Sequence, residues 1–377
     1  MTTHWIVTNR EVVLRDDKEV VNEDSVETLP TFRIAKFVVP ALLDPTDDDL
    51  RAAVTFVTDK ADANYLPSYG GSSDDLPGTA QLFSSVYQAM RQSAEGKGDT
   101  LCFLHGFNHS WIDSLRHLVK LSQVYTDPVD SPVSQIIYFS WPSTGRRSDY
   151  SHDQITALNS GGVLARLFLK AGAFYKVNFG GPKPLPYCGR RLHLAVHSLG
   201  TQVLESFCHI AGGYDGMRLS LFNEILLFNA DSDWTDLDQG KPLSHLNELA
   251  ERVHVYSNHH DETLWVSETT KHSSKRLGRH GPKDINAVPP RTLVVDTTKT
   301  LPPAPLTQLH LDRFAEVAQR IHDINDLSTE SRQAIVHHWG YLFRSDVVND
   351  IKAVLRGESA REIGNRIPER SDLYSLR

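Results

Sequence analysis

The chain has 377 residues, 40% apolar and 23% charged, a length and balance that suit one large α/β domain with extensions or two small domains. With 47 acidic against 39 basic residues its net charge is −8, which gives no electrostatic reason to expect a nucleic-acid partner. Cys102, Cys188 and Cys208 are scattered and odd in number, and form no evident disulfide framework or zinc motif.

Met1 to Arg15 is polar and charged without an apolar leader core, and no run approaches membrane-spanning length. A reduced, cytoplasmic protein with no membrane span is expected. Residues 1–99 read as an N-terminal extension packing on the core. It holds strands at Trp5–Thr8, Phe32–Phe37 and Ala53–Thr58, a loop at Ser68–Gly78 and a helix at Gln81–Gln92. From Thr100 onward strand-like runs alternate with helical ones. The strands are Thr100–Leu104, Gln135–Phe139, Leu192–Val196, Glu224–Phe228, Arg252–Tyr256 and Thr292–Val295. The helices lie at Trp111–Tyr125, Gln154–Ala173, Thr201–Ala211 and Ser244–Glu251. Several of these strands are nearly continuous apolar runs, as strands covered on both faces must be. The expected class is therefore α/β, with a mainly parallel sheet and helices on both faces, over a core at 100–356.

The basic run Lys271–Lys283 reads as a solvated loop. Leu301-Pro302-Pro303-Ala304-Pro305 reads as a stiff linker into a helical insertion at 302–336. That insertion has one amphipathic helix carrying Leu311, Phe314, Val317 and Ile321 and a second at Glu330–Val336. A closing helix at Val347–Leu355 and a mobile polar tail at 357–377 complete the chain.

Within this order, Leu194-Ala195-Val196-His197-Ser198-Leu199-Gly200 is the end of a strand turning sharply into a helix with serine at the corner. Such a corner pushes the hydroxyl above the sheet edge, where a base can reach it. Val196 stands where the commonest form of this elbow has glycine. A serine hydroxyl needs a base and the base an orienting carboxylate, which on an α/β sheet follow in the order serine, acid, histidine. Asp261, beyond the strand ending at Tyr256, is the first choice of acid; Asp231 and Asp233, one strand earlier, stay open. For the base, His310, His322, His337 and His338 qualify by order; His338 is best placed, with His337 beside it.

Two backbone N–H groups would form an oxyanion hole, Leu199 from the elbow and Phe107 from Phe103-Leu104-His105-Gly106-Phe107-Asn108. Trp111, Trp141, Trp234, Trp265 and Trp339 lie beyond strand ends or beside His338. They suggest an aromatic-walled pocket for an apolar acyl or alcohol group, with His105, Gly106, Trp141 and Trp339 in its lining. Neither His259-His260-Asp261-Glu262 nor the pair His105 and His109 has metal-ligand geometry, and no phosphate loop is present, so no cofactor or metal is expected.

Together the segments resemble a bacterial α/β-hydrolase family of unknown function with esterase- and lipase-like features. The likeness rests on Thr8-Asn9-Arg10, His105-Gly106-Phe107-Asn108, Ser140-Trp141-Pro142-Ser143 with Gly145, Tyr150 and Asp153. It continues through His197-Ser198-Leu199-Gly200, Asn258-His259-His260-Asp261 with Leu264, and His338 through Asp350. It implies an α/β-hydrolase fold with Ser198 as nucleophile, Asp261 as acid and His338 as base. The 302–336 stretch exceeds the family pattern and reads as a helical cover near the pocket. The activity expected of these residues is that of a serine hydrolase acting on a small-molecule carboxylic ester. Thioester or amide substrates, acyl transfer, and an inactive binding or scaffold role on the same fold are the alternatives.

Overall fold

The computed structural model describes residues 2–42, 45–57, 78–180, 186–211, 220–298 and 337–377. The predicted loop at Ser68–Gly78 lies almost wholly outside these residues, as do the linker and helical insertion up to Val336, with His310 and His322.

The first strands are β1 (Thr3–Thr8), β2 (Val12–Arg15), β3 (Lys18–Val21) and β4 (Arg33–Val38), followed by α1 (Asp47–Ala52), β5 (Val54–Phe56) and α2 (Gly78–Gln92). The central elements are β6 (Asp99–Leu104), α3 (Trp111–Leu121), β7 (Val133–Ser140), α4 (Tyr150–Phe179), β8 (Leu192–His197) and α5 (Gly200–Ala211). They lead to β9 (Phe222–Phe228), α6 (Leu246–Leu249), β10 (Ala250–Ser257), α7 (Glu262–Thr270), α8 (Leu277–His280) and β11 (Thr292–Asp296). The chain closes with α9 (Gly340–Phe343), α10 (Ser345–Leu355), β12 (Arg366–Pro368) and β13 (Leu373–Leu376).

Eleven strands form one sheet in the order β12-β13-β11-β10-β9-β8-β6-β7-β1-β4-β5. The run from β13 to β1 is parallel throughout. Alternate residues of each central strand enter opposite cores, because side chains of a strand point to opposite faces. On β8, Leu194 and Val196 face one apolar cluster and Ala195 the other; on β9, Ile225 and Leu227 oppose Leu226 and Phe228. This two-sided burial is what makes the runs nearly unbroken in apolar residues.

Three segments differ from the sequence reading. Residues 1–99 share the sheet, since β1 pairs in parallel with β7 and β4 continues it on the other side. The supposed polar tail carries β12 and β13, and β13 pairs with β11. Its anchor is a buried ion pair, Arg366 Nε to Asp350 Oδ1 at 2.6 Å, with Asp350 on α10. The helix expected at Ser244–Glu251 is instead a 3-10 turn at Pro242–His245 and the short α6, because Ala250 already opens β10.

The carboxyl ends of β1, β7, β6, β8, β9, β10 and β11 line up along one sheet edge. Register places Thr8 beside Ser140, Leu104 beside Val196, His197 beside Phe228 and Ser257 beside Asp296. Loops leaving that edge meet, which is where open α/β sheets place ligands. Among the described residues no helix is long and apolar enough to cross a membrane.

Candidate active site

Between β8 and α5 the backbone turns at Ser198, whose φ is +51°. A left-handed serine costs about 1 kcal/mol and persists only when neighbours hold it. Here the Ser198 N–H donates to the Phe228 carbonyl at 3.0 Å, and its own carbonyl accepts from the N–H groups of Thr201 and Asp231 and the Thr201 hydroxyl. Two glycines let the flanking loops close on this corner. A Cβ on Gly200 would lie 2.5 Å from the His105 carbonyl oxygen, and one on Gly106 would lie 2.8 Å from Ser198 Cβ. Val196, the departure from the usual elbow glycine, is fully buried and absorbed into the core, so the turn forms around it.

Asp261 follows β10 and caps α7, its Oδ1 accepting the Leu264 N–H at 2.9 Å. The other oxygen, Oδ2, accepts from His338 Nδ1 at 2.6 Å and from Asn229 Nδ2 at 2.7 Å. Both Asp261 and His338 are buried. With Nδ1 donating to the carboxylate, His338 Nε2 is left as an acceptor, the tautomer that a general base needs. His338 packs on the ring of His197, the residue preceding Ser198, with centroids 4.6 Å apart. Among the described residues no hydrogen bond joins Ser198 Oγ to His338.

The alternatives are occupied elsewhere. Asp231 accepts from Arg276 Nε at 2.9 Å, Tyr150 Oη at 2.6 Å and Ser267 Oγ at 2.8 Å. Asp233 takes the N–H and hydroxyl of Thr235. His337 bonds Asn258 at 3.2 Å, and burial with the nearby Arg344 charge lowers it to about 4. The same network corrects the reading of Lys271–Lys283 as solvated loop: Arg276 is buried because it neutralises Asp231 behind the site.

Phe107 and Leu199 flank Ser198 on the two touching loops. Among the described residues neither of their N–H groups donates to a protein acceptor. The two tryptophans expected to wall a pocket are both buried. Trp141 is fully buried, donating Nε1 to the His105 carbonyl at 2.8 Å and stacking on its ring at 4.9 Å. Trp339 is buried against His109 and His197. His105 is likewise sealed, burial holding its imidazole well below the ordinary value and therefore neutral. These rings form a floor under the loops, because covering a large ring at a strand end removes more apolar surface from water than exposing it to a ligand would.

Two residues escaped the sequence reading. Asn229, at the end of β9 with φ of +45°, orients the Asp261 carboxylate and also donates to the His337 carbonyl. His197 Nε2 bonds the His338 carbonyl at 3.1 Å. Nothing in the sequence marks Asn229 beyond its place at a strand end, or His197 beyond its place beside the serine.

The profile of a family described as alpha/beta hydrolase of unknown function (DUF900) matches residues 84–323, and the chain belongs to that family. Its fold is accordingly that of an α/β hydrolase. Comparison with curated proteins and with solved structures finds no match.

Proposed function

We propose that the protein is a serine hydrolase that cleaves a carboxylic ester through Ser198, His338 and Asp261. The observation that carries this reading is the 2.6 Å contact between His338 Nδ1 and Asp261 Oδ2, next to a serine held in left-handed backbone. In the proposed reaction Ser198 Oγ attacks the acyl carbon while His338 Nε2 takes its proton. The imidazolium is stabilised by Asp261, and the N–H groups of Phe107 and Leu199 meet the oxyanion. Collapse of the tetrahedral adduct expels the alcohol, which receives the proton from His338. A water molecule then releases the acid by the same steps. Nucleophile–base hydrogen bonds that are long or poorly aligned in a free enzyme tighten on binding substrate, so this role does not require a Ser198–His338 hydrogen bond beforehand.

A fluorophosphonate probe tests the assignment. Labelling of the wild type and not of Ser198→Ala supports it, and equal labelling of both would move the nucleophile elsewhere. Turnover of p-nitrophenyl esters of graded acyl length then defines the substrate. Product analysis with added alcohols separates hydrolysis from acyl transfer.

A further inference from the structure

We propose that Arg10 is a positioning residue for the oxyanion hole: its buried guanidinium, at the end of β1, fixes the peptide that follows the Phe107 N–H. The proposal rests on reading Ser198 as nucleophile and Phe107 as oxyanion donor.

Arg10 is buried and its charge is expensive to keep there, burial lowering the guanidinium to about 10 against the pull of Asp153. Three of its donors go to neutral acceptors, two carbonyls on the neighbouring strand-end loops and the Ser140 hydroxyl at the end of β7. Nη2 donates to the His109 carbonyl at 2.7 Å, Nη1 to the Ser143 carbonyl at 3.1 Å and Nε to Ser140 Oγ at 3.1 Å. A lysine could not span three such acceptors, since the fork of the guanidinium is what matches them.

The opposite charge sits one layer further out. Asp153, fully buried near the start of α4, accepts the Ser143 hydroxyl, the Thr144 N–H at 2.9 Å and the backbone N–H of Asn108. Ser143 Oγ in turn accepts the His109 N–H at 3.0 Å. The backbone groups after Phe107 are thus tied in sequence: Asn108 N–H to Asp153, His109 N–H to Ser143, and His109 carbonyl to Arg10. Asn108 is held at φ of +62°, a conformation the loop would leave if these ties were cut. On the other side Gly106 touches Ser198, so the Phe107 peptide is gripped between the elbow and this clamp.

Oxyanion donors act only within a few tenths of an ångström of their place, which is why a remote residue can govern the rate. The test compares Arg10→Lys with wild type. For a p-nitrophenyl ester, kcat should fall about 30- to 100-fold with KM changed less than about threefold. The rate of fluorophosphonate labelling at Ser198 should fall by the same factor. Arg10→Ala should regain activity with added guanidinium ion and not with sodium chloride of equal ionic strength.

A folded Arg10→Lys enzyme with kcat within about threefold of wild type would overturn the proposal, as would equal recovery with both salts. If the Arg10 variants do not fold, Ser143→Ala carries the same test. Loss of kcat at constant KM supports the clamp, and wild-type kcat refutes it. Failure of the underlying reading is seen separately: a wild type that the probe does not label at Ser198 removes the hydrolase assignment and the clamp's role with it.

Discussion

His197 Nε2 lies 3.1 Å from the carbonyl oxygen of His338, so the residue beside the proposed nucleophile holds the backbone of the proposed base. Burial, with His338 and His117 adding to it, keeps this imidazole well below its ordinary value, hence neutral, with the proton on the nitrogen that faces the carbonyl. The ring also packs on Trp339 at 4.9 Å. His197→Phe preserves the packing and removes the donor, leaving a buried carbonyl without its partner at a cost of about 1–3 kcal/mol. We expect kcat on a p-nitrophenyl ester to drop about tenfold with KM little changed. Unchanged kcat in a folded variant would show that the bond does not place His338.

Asp261 and Asp231 are both buried carboxylates at strand ends, yet they serve different partners, so their amide variants should fail differently. Asp261→Asn sets an amide against His338 Nδ1 and favours the wrong tautomer, a change that costs about 10⁴-fold in kcat where such a triad operates. Its melting temperature should fall by less than that of Asp231→Asn, the loss being the buried Asn229 amide donor left without its acceptor. Asp231→Asn leaves the Arg276 guanidinium buried without an anion, which costs about 3–5 kcal/mol of stability. Asp233→Asn should be neutral in both. A catalytic collapse in Asp231→Asn with Asp261→Asn still active would shift the acid to the earlier strand.

The parallel strands were legible because burial on both faces forces unbroken apolar runs, as in Glu224–Phe228 within β9. The hairpin of β2 and β3 was missed although its turn, Asp16-Asp17, has both residues at positive φ, because the flanking Val12–Arg15 and Lys18–Val21 are short and half polar. Chain order narrowed the acid to Asp261, Asp231 or Asp233 and the base to four histidines; local context favoured Asp261 and His338, and the fold brings that pair into contact. The inward turn of Trp141 could not be read, since position at a strand end does not say which way a ring points. Arg10 and Asn229 were invisible as site residues for a related reason: their roles exist only where loops distant in sequence meet.

The same limit hid β12 and β13. Their polar sequence is held by Arg366, which also lies 3.5 Å from the Tyr256 hydroxyl while pairing with Asp350. Breaking the pair from either side should cost about 3–5 kcal/mol, because a buried charge is left alone, whereas the double variant Asp350→Leu/Arg366→Met should cost less than the two singles combined. Urea denaturation of the four proteins gives the coupling directly. Single variants that lose less than about 1 kcal/mol would mean that the strands are held by Tyr374 and Leu376 instead.

Glu205 on α5 supplies a pH signature of the fold. Burial and the neighbouring Asp236 carboxylate raise its carboxyl from 4.5 to about 8, while Ser232 opposes that shift. An acid whose folded value lies above its unfolded one stays protonated in the folded state after the unfolded chain has ionised. Between pH 4.5 and 8 the native state therefore binds more protons, and stability falls as pH rises. Glu205→Gln removes the titration while keeping a neutral side chain of similar shape. Relative to this variant, the wild type should lose about 2–4 kcal/mol between pH 5 and pH 8, read from urea midpoints with the slope held common. Parallel pH curves for the two proteins would show that Glu205 is already ionised in the native state.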